Sequence, residues 1–75
     1  MAAFWKDGSY EGRAFYRYCV DDGPRRPHEI GVASCDLSRG PWIWYMRLDM
    51  QKYHGSSDCE EDAKTRVKES WDQYL

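Results

Sequence analysis

The stretch "WIWYMRLDM", residues 42–50, decides how the chain is read. Period-two alternation puts Trp42, Trp44, Met46, Leu48 and Met50 on one side, and Ile43, Tyr45, Arg47 and Asp49 on the other. The first side is a core face. The second is too apolar for plain solvent exposure and too charged for a core. That combination marks a strand with one packed side and one side available for contact.

Working outward, "RAFYRYCV" (13–20) alternates in the same way and is rich in β-formers. Ala14, Tyr16, Tyr18 and Val20 share one face, and Arg13, Phe15, Arg17 and Cys19 the other. "HEIGVASCDL" (28–37) reads as a weaker strand, with Ile30 and Val32 toward the core and Gly31 and Ala33 behind. The prolines and glycine of "DDGPRRP" (21–27) make a loop, and "SRGP" (38–41) is the next turn. The third strand covers 42–52. Residues 1–12 contain the turn dipeptide Asp7-Gly8 and are either a small hairpin or an irregular lead-in.

The end of the chain reads as a helix over 57–74. Ser57 and Glu60 have capping-box spacing, and Asp58, Glu60, Glu61 and Asp62 crowd the positive end of the helix dipole. Cys59, Ala63, Val67, Trp71 and Tyr74 then trace one helical stripe. The expected fold is α+β: a three-stranded antiparallel β-sheet meander with one C-terminal α-helix packed on one face (βββα), a single domain over 1–75. Ala63, Val67 and Trp71 would cover Tyr16, Tyr18, Ile30, Val32, Trp42, Trp44 and Met46. Arg13, Phe15, Arg17, Ile43, Tyr45 and Arg47 would remain on an open face.

The totals narrow the function classes. A chain of 75 residues holds one small core, which its 16% aromatic content helps to fill. The net charge of −2 argues against a generally basic nucleic-acid binder. The charge is uneven: residues 57–75 carry Asp58, Glu60, Glu61, Asp62, Glu69 and Asp72 against Lys64, Arg66 and Lys68. Cys19, Cys35 and Cys59 are too widely spaced for a secreted disulfide framework and suggest free thiols in a reducing cytoplasm. The expected location is therefore cytoplasmic, with neither a signal peptide nor a membrane-spanning run of ~18 apolar residues.

Little in the sequence suggests chemistry. Cys19, Cys35, Cys59, His28 and His54 lack zinc-site spacing, so no metal or cofactor is expected. No nucleophile elbow, zincin motif or phosphate-binding glycine loop is present, which argues against an enzyme. The open face is the candidate partner-binding site, with Arg13, Phe15, Arg17, Tyr45 and Arg47 offering stacking, cation–π and bidentate contacts. Its alternative reading is cross-strand packing beside snorkelling arginines. Asp58, Glu60, Glu61 and Asp62 are candidate electrostatic contacts, resembling a phosphate mimic, or simply complement the dipole. Arg25 and Arg26 could touch phosphates, or belong to a solvated loop.

With "WIW", "GSSDCEEDA" and "SWDQYL" in place, residues 42–75 resemble small sheet-plus-helix proteins of phages and prophages, the anti-CRISPR inhibitors as a class among them. The resemblance implies a non-catalytic inhibitor that occupies a surface of a host protein or nucleoprotein complex, such as a CRISPR effector. A second resemblance is to the three-stranded-sheet DNA-binding domains of plant ethylene-response factors and integrase amino-terminal arms. It implies that Arg13, Arg17 and Arg47 face a DNA groove, although the acidic helix departs from that pattern. The third reading is a homodimer that buries the open face.

Overall fold

The computed structural model describes residues 2–21, 23, 27–48 and 51–74. Its elements are β1 (Ala2–Asp7), β2 (Arg13–Asp21), β3 (His28–Asp36), β4 (Trp42–Met46), β5 (His54–Ser57) and α1 (Glu60–Tyr74). The strands form one antiparallel sheet in the order β1-β2-β3-β4-β5. The α+β class, the antiparallel sheet and the C-terminal helix are as expected. The sheet has five strands rather than three.

Both added strands lie at the edges. β1 pairs with β2 in unbroken register, from Ala2 opposite Asp21 to Asp7 opposite Tyr16. The lead-in is therefore one arm of a hairpin, but Asp7-Gly8 is not its tip. Gly8 still donates its N–H to Phe15 O at 2.8 Å, and the reversal comes at Glu11-Gly12, where Gly12 has φ +79°. β5 is short and pairs with β4 from Trp42 opposite Ser57 to Tyr45 opposite His54. The strand expected over 42–52 therefore ends at Met46, and the chain turns before β5 begins.

β5 also changes the helix start. Ser57 belongs to the strand, and α1 begins at Glu60, with Ala63 N–H donating to Cys59 O at 3.1 Å. The Ser57–Glu60 capping box is not formed: Ser57 Oγ is buried and has no hydrogen-bond partner. Cys59 is exposed rather than part of the buried stripe. Ser57→Ala is accordingly expected to change stability by less than ~0.5 kcal/mol in urea denaturation, whereas a working cap would cost about 1 kcal/mol.

The core lies between the helix and one sheet face. Tyr18, Val20, Ile30, Met46, Tyr53 and Val67 form its buried centre, with Trp5, Trp44 and Trp71 packed against it. The helix-facing residues of the central strand are small. Gly31, Ala33 and Cys35 pair with Met46, Trp44 and Trp42, and with Tyr18, Tyr16 and Ala14 on the other side. This allows Tyr16 and Trp42 to stack across β3, with ring centroids 6.1 Å apart. A Cβ on Gly31 would lie 2.7 Å from Val67 Cγ1, so the helix touches down there.

This arrangement corrects the expected facing of β3. Val32 alternates away from Gly31 and Ala33, onto the face without a helix, where it is nevertheless fully buried. Ile30 does reach the helix-side core. A register shift between Tyr18 and Cys19 places Cys19 opposite Glu29, so that Ile30 and Gly31 both serve the packed side.

Candidate functional site

Cross-strand pairing arranges the second face in rows. Lys6, Arg17, Val32, Tyr45 and His54 are successive partners across all five strands. Beside that row lie Phe15, Ser34, Ile43 and Ser56 on one flank, and Phe4, Cys19 and Glu29 on the other. Arg13 and Asp36 close the end next to Phe15. Among the described residues no helix covers this face. Of the residues expected on it, Arg13, Phe15, Arg17, Ile43, Tyr45 and Arg47 all fall there. The sequence reading missed Phe4, Lys6, Glu29, Val32, Ser34 and His54.

The arginines are held in place. Arg47 Nε pairs with Glu29 Oε2 at 3.1 Å, and its guanidinium carbon lies 5.9 Å from the centre of the Tyr45 ring. Arg13 Nη1 donates to Ser34 Oγ at 3.4 Å. The Arg17 head folds down toward β1, since a Cβ on Gly8 would meet Arg17 Nη2 at 3.2 Å and Phe15 Cδ1 at 3.3 Å. Arg17 Nε and Glu29 Oε1 are buried without hydrogen-bond partners. Val32 is sealed between Arg17 and Tyr45, its half-buried cross-strand neighbours. The face is therefore a thin layer of apolar side chains under positioned cations, with Ile43 still 44% and Phe4 39% exposed.

Two concavities open along it. One, of about 610 Å³, is lined by Ile43, Trp44, Tyr45, Gln51, His54, Gly55 and Ser56 on the β4–β5 side. The other, of about 370 Å³, is lined by Phe4, Lys6, Arg17, Cys19, Pro27 and Glu29 on the β1–β3 side. Among the described residues no group of three His, Cys, Asp or Glu could hold a metal ion. No described helix is long and apolar enough to cross a membrane.

The acidic helix start sits apart from this face. Glu60 pairs with Lys64 at 3.3 Å and Asp62 with Arg66 at 3.7 Å, each one turn apart. Lys64 Nζ lies 3.8 Å from the Tyr16 ring centre and 5.4 Å from that of Trp5. The charge of Glu60 raises the Tyr16 phenol above its usual range, and burial raises that of Tyr18. Glu60 and Asp62 thus hold local ion pairs, while Asp58 and Glu61 are exposed. Arg25 and Arg26 lie outside the described residues.

Two carboxylates near the strand ends are held below their usual range. Asp7 accepts the backbone N–H of Ser9 at 2.8 Å, and Asp36 accepts the Ser38 hydroxyl at 2.8 Å and its backbone N–H at 3.0 Å. A carboxyl whose folded pKa is depressed stabilises the fold above its unfolded pKa, and that stability is lost as pH falls through the folded value. Asp36→Ala should therefore be destabilising at pH 7 and progressively less so as acidification protonates the carboxyl, in urea denaturation at neutral and at acid pH. An equal loss at both would assign the effect to packing.

Comparison of the chain with protein-family models, with curated proteins and with solved structures finds no match. The functional reading rests on the composition and geometry of the face.

Proposed function

We propose that this protein is a non-enzymatic, cytoplasmic binding module whose helix-free sheet face occludes an acidic surface of a larger macromolecular complex. One observation carries the proposal. Among the described residues, Lys6, Arg13, Arg17 and Arg47 share that face with three carboxylates, Asp21, Glu29 and Asp36, and are interleaved with Phe4, Phe15, Ile43 and Tyr45, on a chain whose net charge is −2. Aromatic and arginine side chains recur at protein–protein hot spots, and cations already held in place lose less entropy on docking. Surface occlusion is also the mode of the phage inhibitors that residues 42–75 resemble, and a CRISPR effector is a partner of that type.

The test is capture of host proteins on the immobilised chain, with Tyr45→Ala/Arg47→Ala as the comparison. A complex retained by the wild type and lost from the folded variant supports the reading. Equal capture by both removes this face from consideration.

The row from Lys6 to His54 favours a second reading, since it sets the cations Lys6 and Arg17 at one end and the rings of Tyr45 and His54, on which bases could stack, at the other. The five-stranded sheet departs from the three-stranded DNA-binding domains, so a single strand fits better than a duplex groove. That reading requires binding that weakens steeply with salt. A flat titration with single- and double-stranded oligonucleotides at low salt excludes it.

A further inference from the structure

The two sheet edges are not alike. β5 has four residues, and the Trp44 ring lies over its Gly55, where a Cβ would come within 3.0 Å of Trp44 Nε1. β1 has six residues in continuous register, with no proline and no bulge against β2. Of the usual means of blunting an edge, β1 lacks a short length, a bulge and a proline, and carries only the charges of Lys6 and Asp7 at one end.

The hydrogen-bond pattern shows which groups that edge presents. Gly8 N–H donates to Phe15 O, so Gly8 and Phe15 are a hydrogen-bonded pair. Antiparallel pairing alternates, so Lys6, Phe4 and Ala2 also turn their backbone groups toward β2. Ala3, Trp5 and Asp7 therefore point theirs outward. We propose that the β1 edge pairs antiparallel with β1 of a second copy, centred on Phe4, to join two sheets into one.

Charge and register select this alignment. Centred on Phe4, Ala3 opposes Trp5 of the second copy as a hydrogen-bonded pair, and about four backbone bonds form. Phe4 meets its own counterpart at the closer, non-hydrogen-bonded spacing, which covers a ring now 39% exposed. Lys6 opposes Ala2. An alignment centred on Lys6 would instead set lysine against lysine and leave fewer residues paired. The two-fold axis is perpendicular to the sheet, so both helix-free faces look the same way and the two Phe4–Lys6 concavities meet at the junction. This pairing does not depend on the function proposed above; it would double the face that reading uses.

Sedimentation of the full chain from about 1 μM to about 1 mM, together with two variants, tests the proposal. Ala3→Pro removes an outward donor while sparing the bonds to β2, and should weaken the dimer more than tenfold. Phe4→Cys, in a Cys19→Ala/Cys59→Ser background that removes the thiol directly opposite position 4, should form an interchain disulfide on mild oxidation, faster than Ala2→Cys or Lys6→Cys. A monomer throughout the range overturns the proposal. So does a dimer that survives Ala3→Pro and gives no preferential Phe4→Cys cross-link, because its interface would then lie elsewhere. Circular dichroism confirms that the variants remain folded, and the cross-link does not rely on the proline variant. Partner capture by a monomeric Ala3→Pro chain would separate failure of the dimer from failure of the binding face.

Discussion

Replacing Gly31 with alanine is expected to destabilise the protein by about 1–3 kcal/mol, and with valine by more. The added Cβ would lie 2.7 Å from Val67 Cγ1, 3.0 Å from Met46 Sδ and 3.3 Å from Tyr45 O. The last is backbone. Val67 is β-branched and fully buried, so it has little rotamer freedom with which to yield. Met46 could adjust, but it too is fully buried within the cluster. The helix would have to lift, loosening contacts along its length. In a domain of this size that loss is a large part of the total stability. The midpoint of urea denaturation measures it. Gly8→Ala is the control, since its closest neighbour is the flexible end of Arg17. If Gly31→Ala were as stable as the wild type, the placement of the helix on β3 would be wrong.

The double substitution Tyr45→Ala/Arg47→Ala is expected to weaken partner binding by about 100-fold or more. Tyr45 stands next to the central Val32 in the row that spans the sheet, with His54 on its other side. Arg47 is within cation–π range of that ring and holds Glu29 at 3.1 Å. Removing both takes away an aromatic anchor and leaves the Glu29 carboxylate, already unpartnered at Oε1, without its cation. An acidic partner surface would then meet uncompensated negative charge. Truncating Tyr45 also uncovers Val32, so a melting curve must accompany the binding measurement. Arg13→Ala/Arg47→Ala tests the electrostatic part while leaving the apolar layer in place. Its effect should shrink as salt rises, because the charges involved are partly exposed. Unchanged affinity in both folded variants would remove this face from the account.

Several elements were legible because their signals are local. Residues 13–20 and 42–46 alternate cleanly, so their packed and open faces could be assigned from the residues alone, and α1 shows its apolar stripe at Ala63, Val67 and Trp71. The arginine–aromatic face followed from the same alternation. β1 was ambiguous because Phe4 and Trp5 are adjacent large rings, one on each side of the sheet, and the alternation is masked. β5, "HGSS", contains no strong β-former and is a strand because β4 supplies its partner. Ser57 had two plausible local fates, cap or strand, and pairing with Trp42 decided between them.

The sequence by itself determined the α+β class, the helix over most of its length, and which residues of β2 and β4 face away from it. The tertiary structure decided the number of strands, the facing of β3 and the free edge at β1. Its central strand shows the physical reason. Periodicity tells which side chains lie together but not which of the two sets meets the helix. On β3 the larger Val32 looked like the core residue. Helix contact there requires the smaller set instead, Gly31, Ala33 and Cys35, because aromatic side chains from β2 and β4 already fill the space on either side.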